Sequence, residues 1–211
     1  MSIGNAHVLE TQLAGSLQEF GLPGAEVRWD LLMQLLELWR RYGRAFNLSG
    51  SVEDSGLVPQ IAEGLQVVAL VRKIGWTPGQ TWLDVGAGGG FPGLIVAANL
   101  ALNLTLVEPR ERRAAFLDLA LHAIARSDCR VLRGRVGERG WEQVRTGDFL
   151  EPGFDWVSAR AVFSPEEWLR LARGWVRPGG TVVAHLRAGA TPSGSVGRVE
   201  GSTWSVHGIR G

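Results

Sequence analysis

The sequence predicts an α/β protein: a mainly parallel sheet with helices on both faces, preceded by a helical segment. Three observations predict it. From Thr81 onward, short apolar runs of strand length alternate with longer amphipathic segments, the pattern of strands linked by crossover helices. The run Thr81–Val85 opens through Gly86-Ala87-Gly88-Gly89-Gly90-Phe91-Pro92-Gly93 into an apolar segment, giving a strand–turn–helix corner. Before these, apolar residues recur at helical spacing instead. Residues 1–76 are therefore assigned to an N-terminal helical extension packed on the core, and 77–211 to the sheet domain.

The elements follow in order. A first helix is expected over Val8–Phe20. Val27, Leu31, Leu35, Leu38 and Tyr42 mark a second, ending near Gly43, and a third runs from about Gly56 to Lys73. After the strand Thr81–Val85, Pro92 opens a helix, and Leu104–Val107 is the next strand. Arg110–Arg126 reads as a helix with Ala114, Leu117, Leu121 and Ile124 on one face. Strands are predicted at Cys129–Leu132, Asp155–Ala159 and Thr181–Leu186, with a helix over Pro165–Trp175 between the last two. Pro178-Gly179-Gly180 is expected to be a turn. Beyond Ala188 the chain is rich in glycine and serine, and only Trp204–Ile209 reads as a strand.

Composition bounds the function. A chain of 211 residues with 45% hydrophobic content is one ordinary domain able to bury a core. A net charge of +1 does not announce a nucleic-acid partner, although Lys73 is the only lysine among 22 basic residues. Arginine is the residue best suited to phosphate forks and base stacking. One cysteine, Cys129, excludes an intrachain disulfide and a cysteine-rich metal site, and it is expected in the core. His7, His122, His185 and His207 lack ligand spacing, so no metal is expected. No signal-peptide pattern or membrane span is read, and a cytoplasmic monomer is the expectation.

The glycine corner points to a nucleotide-like cofactor. Gly88, Gly90 and Gly93 fit G-x-G-x-x-G, while Asp84, Gly86, Gly88 and Gly90 fit D-x-G-x-G-x-G. The second pattern resembles motif I of S-adenosylmethionine-dependent methyltransferases. Pro92 favours it, because a dinucleotide places its pyrophosphate on free N–H groups at a helix start and proline removes one of them. A cationic cofactor also suits the carboxylate of Asp84. No Gly-Lys-Ser/Thr follows, which excludes a P-loop. Glu108, at the end of the next strand, stands where an acidic side chain holds ribose hydroxyls in such folds; NAD remains open on this reasoning. Asp84, Glu108, Arg135, Arg160 and Arg187 all fall at or just after the ends of predicted strands and are expected to share one rim.

Further motifs extend the pattern. Tyr42-Gly43-Arg44-Ala45-Phe46-Asn47-Leu48-Ser49, the run from Leu83 to the Gly90-Phe91-Pro92-Gly93 ending, Glu108, Arg112–Leu117, Gly134-Arg135-Val136 and Ser158-Ala159-Arg160-Ala161 occur in this order. Together they resemble the bacterial small-subunit ribosomal RNA methyltransferase G family, also called glucose-inhibited division protein B, over roughly residues 27–188. The resemblance implies a Rossmann-like fold with an N-terminal helical extension, S-adenosylmethionine as cofactor, and methylation of N7 of a guanine in 16S ribosomal RNA. It implies cofactor contacts at Asp84, Gly86, Gly88, Gly90, Phe91, Glu108, Val136 and Gly137. It places Asn47, Pro92, Arg135 and Arg160 on the substrate side, with Arg135, Arg160 and Arg187 as catalytic candidates.

Departures from the family pattern are concentrated at a few positions. A segment built on histidine, aspartate and serine appears here as Gln60-Ile61-Ala62-Glu63-Gly64-Leu65. Gly137 replaces an acidic residue, with Glu138 one place late. Arg187 is the nearest substitute for a lysine, offset by about one residue.

Guanine N7 carries a lone pair and no proton, so its methylation needs alignment and exclusion of water and no general base. Arginines without an evident catalytic histidine or cysteine fit that chemistry. The segment 158–161 lacks the Asn/Asp-Pro-Pro-aromatic pattern of exocyclic-amine methylation, and Cys129 is away from the rim, which disfavours cytosine C5. Trp39, Tyr42 and Phe46 suit either the core or stacking on unpaired bases, with core the stronger reading. Two alternatives stand beside the leading one: a methyltransferase for another RNA or a small molecule, and a catalytically silent relative that binds RNA or a partner.

Overall fold

A computed structural model describes residues 3–46, 48, 53–138, 140–144, 147–190, 192–202 and 204–211. Three long helices come first: α1 (Ile3–Phe20), α2 (Trp29–Phe46) and α3 (Asp54–Ile74). Helix α2 buries Leu32, Met33, Leu35, Leu36 and Trp39, the three- and four-residue stripe that makes it amphipathic. Gly75, at φ 97°, ends α3 in a conformation that glycine adopts without steric cost.

The sheet follows as β1 (Thr81–Val85), α4 (Gly93–Asn99), β2 (Asn103–Val107), α5 (Glu111–Ala123), β3 (Arg130–Leu132), β4 (Gly134–Gly137), β5 (Gly140–Gln143), β6 (Phe154–Ala159), α6 (Pro165–Ala172), β7 (Val176–Arg187), β8 (Ser195–Val199) and β9 (Trp204–Arg210). Seven strands form one sheet in the order β3-β2-β1-β6-β7-β9-β8. The first five are parallel; β9 runs antiparallel to both β7 and β8. Strand order reverses at β1, whose two neighbours are β2 and β6, and such a switch point leaves a crevice beyond the strands' carboxyl ends.

Period-two alternation divides the side chains between two faces. Trp82, Leu104, Leu106, Trp156 and Val183 share a core with α1 to α5. Leu83, Val107, Val157, Val182 and Ala184 pack with Trp168 of α6 and with Trp175. The helical segment and the sheet thus bury one continuous apolar body, in which each large side chain contributes roughly 1.5–3 kcal/mol. Helix α6 starts with Pro165 in its first turn and with Ser164 Oγ accepting the Glu167 N–H at 3.2 Å.

Three local features depart from or go beyond the sequence reading. Pro178-Gly179-Gly180 lies inside β7, where the register with β6 shifts between Phe154 and Trp156 and Gly179 takes φ 77°. An irregularity of this kind lets a strand carry turn-like residues without ending. The hairpin β4–β5 was not predicted, since a four-residue strand containing two glycines and an arginine shows no alternation of its own. Nor was β8, which pairs along β9 within the glycine-rich tail.

Candidate functional site

A cleft of about 610 Å³ lies at the switch point, walled by the turn after β1, the end of β2, the hairpin strand β4 and the turn after β6. Glu108 closes β2 and is 4% exposed. Its two carboxylate oxygens accept the Gly88 N–H at 3.0 Å and the Arg110 N–H at 2.9 Å. One side chain therefore ties the glycine turn to the start of the next helix, while still facing the cleft.

The turn is built for close approach. Gly86, at φ 71°, could not carry a Cβ without meeting Val162 at 2.4 Å. From behind, the Trp39 indole N–H donates to the Gly89 carbonyl at 2.7 Å, and the Trp39 ring stacks on Phe91 with centroids 4.4 Å apart. Trp39 is thus core, as expected, but it is core that fixes the turn. Tyr42 and Phe46 stack on each other, half-buried, along the same helix.

Asp84 sits under the turn and does not line the cleft. The Trp82 indole N–H donates to Ser158 Oγ at 2.8 Å, and the Ser158 hydroxyl donates to Asp84 Oδ1 at 2.7 Å. Oδ2 is buried beside Gly93, whose N–H lies near it outside good hydrogen-bond geometry. A Cβ on Gly93 would stand 2.6 Å from that oxygen, so helix α4 can begin here only with glycine. Burial pushes the Asp84 carboxyl up to about 7, against the opposing pulls of the Ser158 hydroxyl, the Gly93 backbone and Arg160.

The cleft gathers Gly86, Gly88, Phe91, Glu108, Val136, Arg135 and Arg160 from the sequence-predicted site residues. Arg135 is exposed on β4, opposite Glu142. Arg160 follows β6 and forms an ion pair with Glu63 of α3, both side chains being 25% exposed. Other expected residues do not line it. Gly90 faces Leu94 of α4, Pro92 starts that helix, and Gly137 lies further along the hairpin. Arg187 is exposed at the end of β7, opposite Trp204 and off the cleft, so the shared rim holds for Glu108, Arg135 and Arg160 but not for Arg187 or for the buried Asp84. Asn47 lies outside the described residues. Sequence reasoning missed Gln60, Arg110 and Arg113, which also line the cleft; the last two occupy the first turn after Glu108, which was signal enough to find them.

Among the described residues no cluster of His, Cys, Asp and Glu is placed to hold a metal, and no helix is long and apolar enough to cross a membrane. Cys129 stands just before β3, near the amino end of the sheet and away from the cleft, its thiol pushed up by burial.

A parallel sheet that reverses at β1, a glycine turn beneath the crevice and a carboxylate closing β2 define a class I methyltransferase of the S-adenosylmethionine-dependent kind. The cleft fits such a group: its volume lies in the range of cofactor pockets, its floor is glycine backbone, and a carboxylate faces in from β2. The chain belongs to the rRNA small subunit methyltransferase G (GidB) family, whose sequence model matches residues 28–190. It is 27% identical over 200 residues to "Ribosomal RNA small subunit methyltransferase G" of Burkholderia thailandensis, covering 93% of this chain and 82% of that one. Identity to the protein of the same description from Burkholderia pseudomallei is 27% over 202 residues, covering 94% and 83%. Among solved structures, MtNAS in complex with MTA and tNA aligns with a TM-score of 0.55 at 16% identity, over 83% of this chain and 71% of that chain. A mutant of MtNAS in complex with S-adenosylmethionine aligns at 0.54 and 16%, over 87% and 76%. These likenesses show the shared fold.

Proposed function

We propose that this protein methylates N7 of a guanine in small-subunit ribosomal RNA. The observation that carries the reading is the placement of Glu108 under Gly88 in a cleft whose open side bears Arg135 and Arg160. S-adenosylmethionine supplies an electrophilic methyl group when bound. Glu108 would accept the ribose hydroxyls, Gly86 and Gly88 would admit the cofactor against bare backbone, and Phe91 and Val136 would give it apolar walls. Asp84 acts from below by holding the turn and the start of α4 in place.

Arg135 and Arg160 are assigned to the RNA, where guanidinium groups pair with phosphate or with base acceptors. The nucleophile is a lone pair in the plane of the guanine ring, so no proton has to leave before transfer. The residues need only align that nitrogen with the methyl carbon and keep water out. Among the described residues lining the cleft there is no histidine or cysteine, and the one carboxylate, Glu108, already accepts two backbone N–H groups. A cytoplasmic site of action follows from the proposed substrate.

The test is transfer of labelled methyl from S-adenosylmethionine to small-subunit particles lacking the modification, followed by chemical cleavage at 7-methylguanine. Label at a single guanine is expected, reduced at least about tenfold in Arg135→Ala and Arg160→Ala. Cofactor binding without incorporation into such particles would overturn the substrate assignment.

A further inference from the structure

A second cavity, of about 230 Å³, opens between the carboxyl ends of β6 and β7. Its walls include Glu63 of α3, Arg160 and Phe163 from the turn after β6, Trp168 of α6, His185 of β7 and Trp204 of β9. It shares Arg160, Ala161 and Phe163 with the cofactor cleft, so the two spaces have a common wall.

Its polar groups are unusual for a packing void. Both ring nitrogens of His185 are buried with no hydrogen-bond partner, the Ala159 carbonyl lying near but out of geometry. Buried polar atoms in folded proteins are nearly always paired, and an exception calls for a physical account. Burial and the nearby charge of Arg160 hold the imidazole neutral, with its pKa down to about 4. It therefore keeps one N–H donor and one bare nitrogen at any pH where the protein works. Glu63, its carboxylate closed on Arg160, also lines the cavity. The remaining walls are aromatic: Phe163 stacks on Trp168 with centroids 6.0 Å apart, and Trp204 is 40% exposed.

We infer that this cavity receives the acceptor guanine with its Watson–Crick edge inward, Glu63 accepting from N1–H and the 2-amino group and the His185 N–H donating to O6. The inference rests on the methyl-transfer reading above. Enzymes that act on a single base take it out of the stack and read that edge between aromatic walls. With the edge buried, N7 remains on the side of O6, free to face the cofactor. Adenine offers a bare N1 to the Glu63 carboxylate and is repelled. Taking Glu63 onto the base opens its pair with Arg160 and frees that guanidinium for the RNA, so recognition is an exchange of partners. Glu63 and His185 move no proton in the reaction; they are specificity-determining residues.

The experiment uses the full chain saturated with S-adenosylhomocysteine. Guanosine monophosphate, adenosine monophosphate and ribose 5-phosphate are titrated in turn while NMR follows the His185 imidazole and the Trp204 indole, assigned with His185→Leu and Trp204→Phe. Guanosine monophosphate is expected to shift both signals and to bind at least about tenfold tighter than the adenosine compound, with ribose 5-phosphate moving neither. Glu63→Gln should bring the two nucleotides within about twofold, and His185→Leu should weaken the guanosine compound about tenfold, both at unchanged S-adenosylhomocysteine affinity. Equal responses to guanosine and ribose compounds, or an intact preference in Glu63→Gln, would overturn the pocket and leave the methyl-transfer reading standing. Failure to bind S-adenosylhomocysteine in the first step would overturn that reading and the pocket with it.

Discussion

Glu108→Gln isolates one carboxylate at the centre of the cleft. In the native chain its two oxygens take two backbone donors, Gly88 N–H at 3.0 Å and Arg110 N–H at 2.9 Å, at a site 4% exposed. Glutamine is the same length but has one acceptor oxygen, and it turns an NH₂ group toward one of those N–H donors. A hydrogen bond to a charged group contributes about 1.5–3 kcal/mol, so losing one should loosen the turn by that amount. The ribose hydroxyls lose a charged acceptor at the same stroke. At 1.4 kcal/mol per decade, a single lost interaction of this kind weakens cofactor binding by roughly 10- to 150-fold. Calorimetric titration with S-adenosylhomocysteine measures it, and circular dichroism checks that the variant is folded. Glu108→Asp keeps the charge but is one methylene short of spanning both donors, and should fall between the two. A folded Glu108→Gln protein that binds within twofold of the parent would refute the reasoning, because the carboxylate would then serve the turn alone.

The buried carboxyl of Asp84 sets a pH dependence. Its folded-state value of about 7 lies above the ordinary 3.8, so between these values the folded state holds a proton that the unfolded chain releases. Stability contributed here is complete below pH 4, falls as pH rises toward 7 and is flat beyond, a loss of about 4 kcal/mol in total. Urea denaturation across that range should show the slope in the parent and its absence in Asp84→Asn. Ser158→Ala strands both the Trp82 indole N–H and Asp84 Oδ1 in the core and should cost about 2–4 kcal/mol, read as a lowered denaturation midpoint. Gly86→Ala forces a left-handed φ on alanine, costing about 1–2 kcal/mol, and drives its methyl into Val162. Val162 is 46% exposed and can give way, so Gly86→Ala with Val162→Ala should recover cofactor affinity without recovering the backbone cost.

Strong local signals carried most of the architecture. The parallel core was legible because β1, β2 and β6 are apolar runs broken by helices of clear periodicity. Glu108 was legible because it follows the glycine turn by one βα step. What escaped depends on partners distant in sequence. Strand β8 exists only by pairing with β9, and β7 runs through Pro178 and two glycines because its neighbours hold it. Trp39 reads as one more core residue until Gly89, 50 residues away, supplies its carbonyl. Arg187 was placed on the rim by counting from a strand that takes in Arg187 as its own last residue, and there the side chain is exposed. His185, two residues earlier on the same face of β7, stands beside the cavity instead, and nothing in its sequence neighbourhood distinguishes it.

The indole bond from α2 to the glycine turn has a consequence for how the protein reports its own occupancy. Helix α2 lies early in the chain, yet its middle is tied to the backbone that the cofactor would touch. A ligand that binds only the folded form at 100 times its Kd adds about 2.7 kcal/mol to the cost of opening that form. Part of that gain must be conducted into α2, because the turn cannot tighten without restraining Trp39. Amide exchange around Trp39 should therefore slow when the cleft is filled, by up to about 100-fold if helix and turn open together. The N-terminal helices are in this sense a gauge wired to the catalytic turn, and cutting them away would cost the cleft its calibration as well as its support.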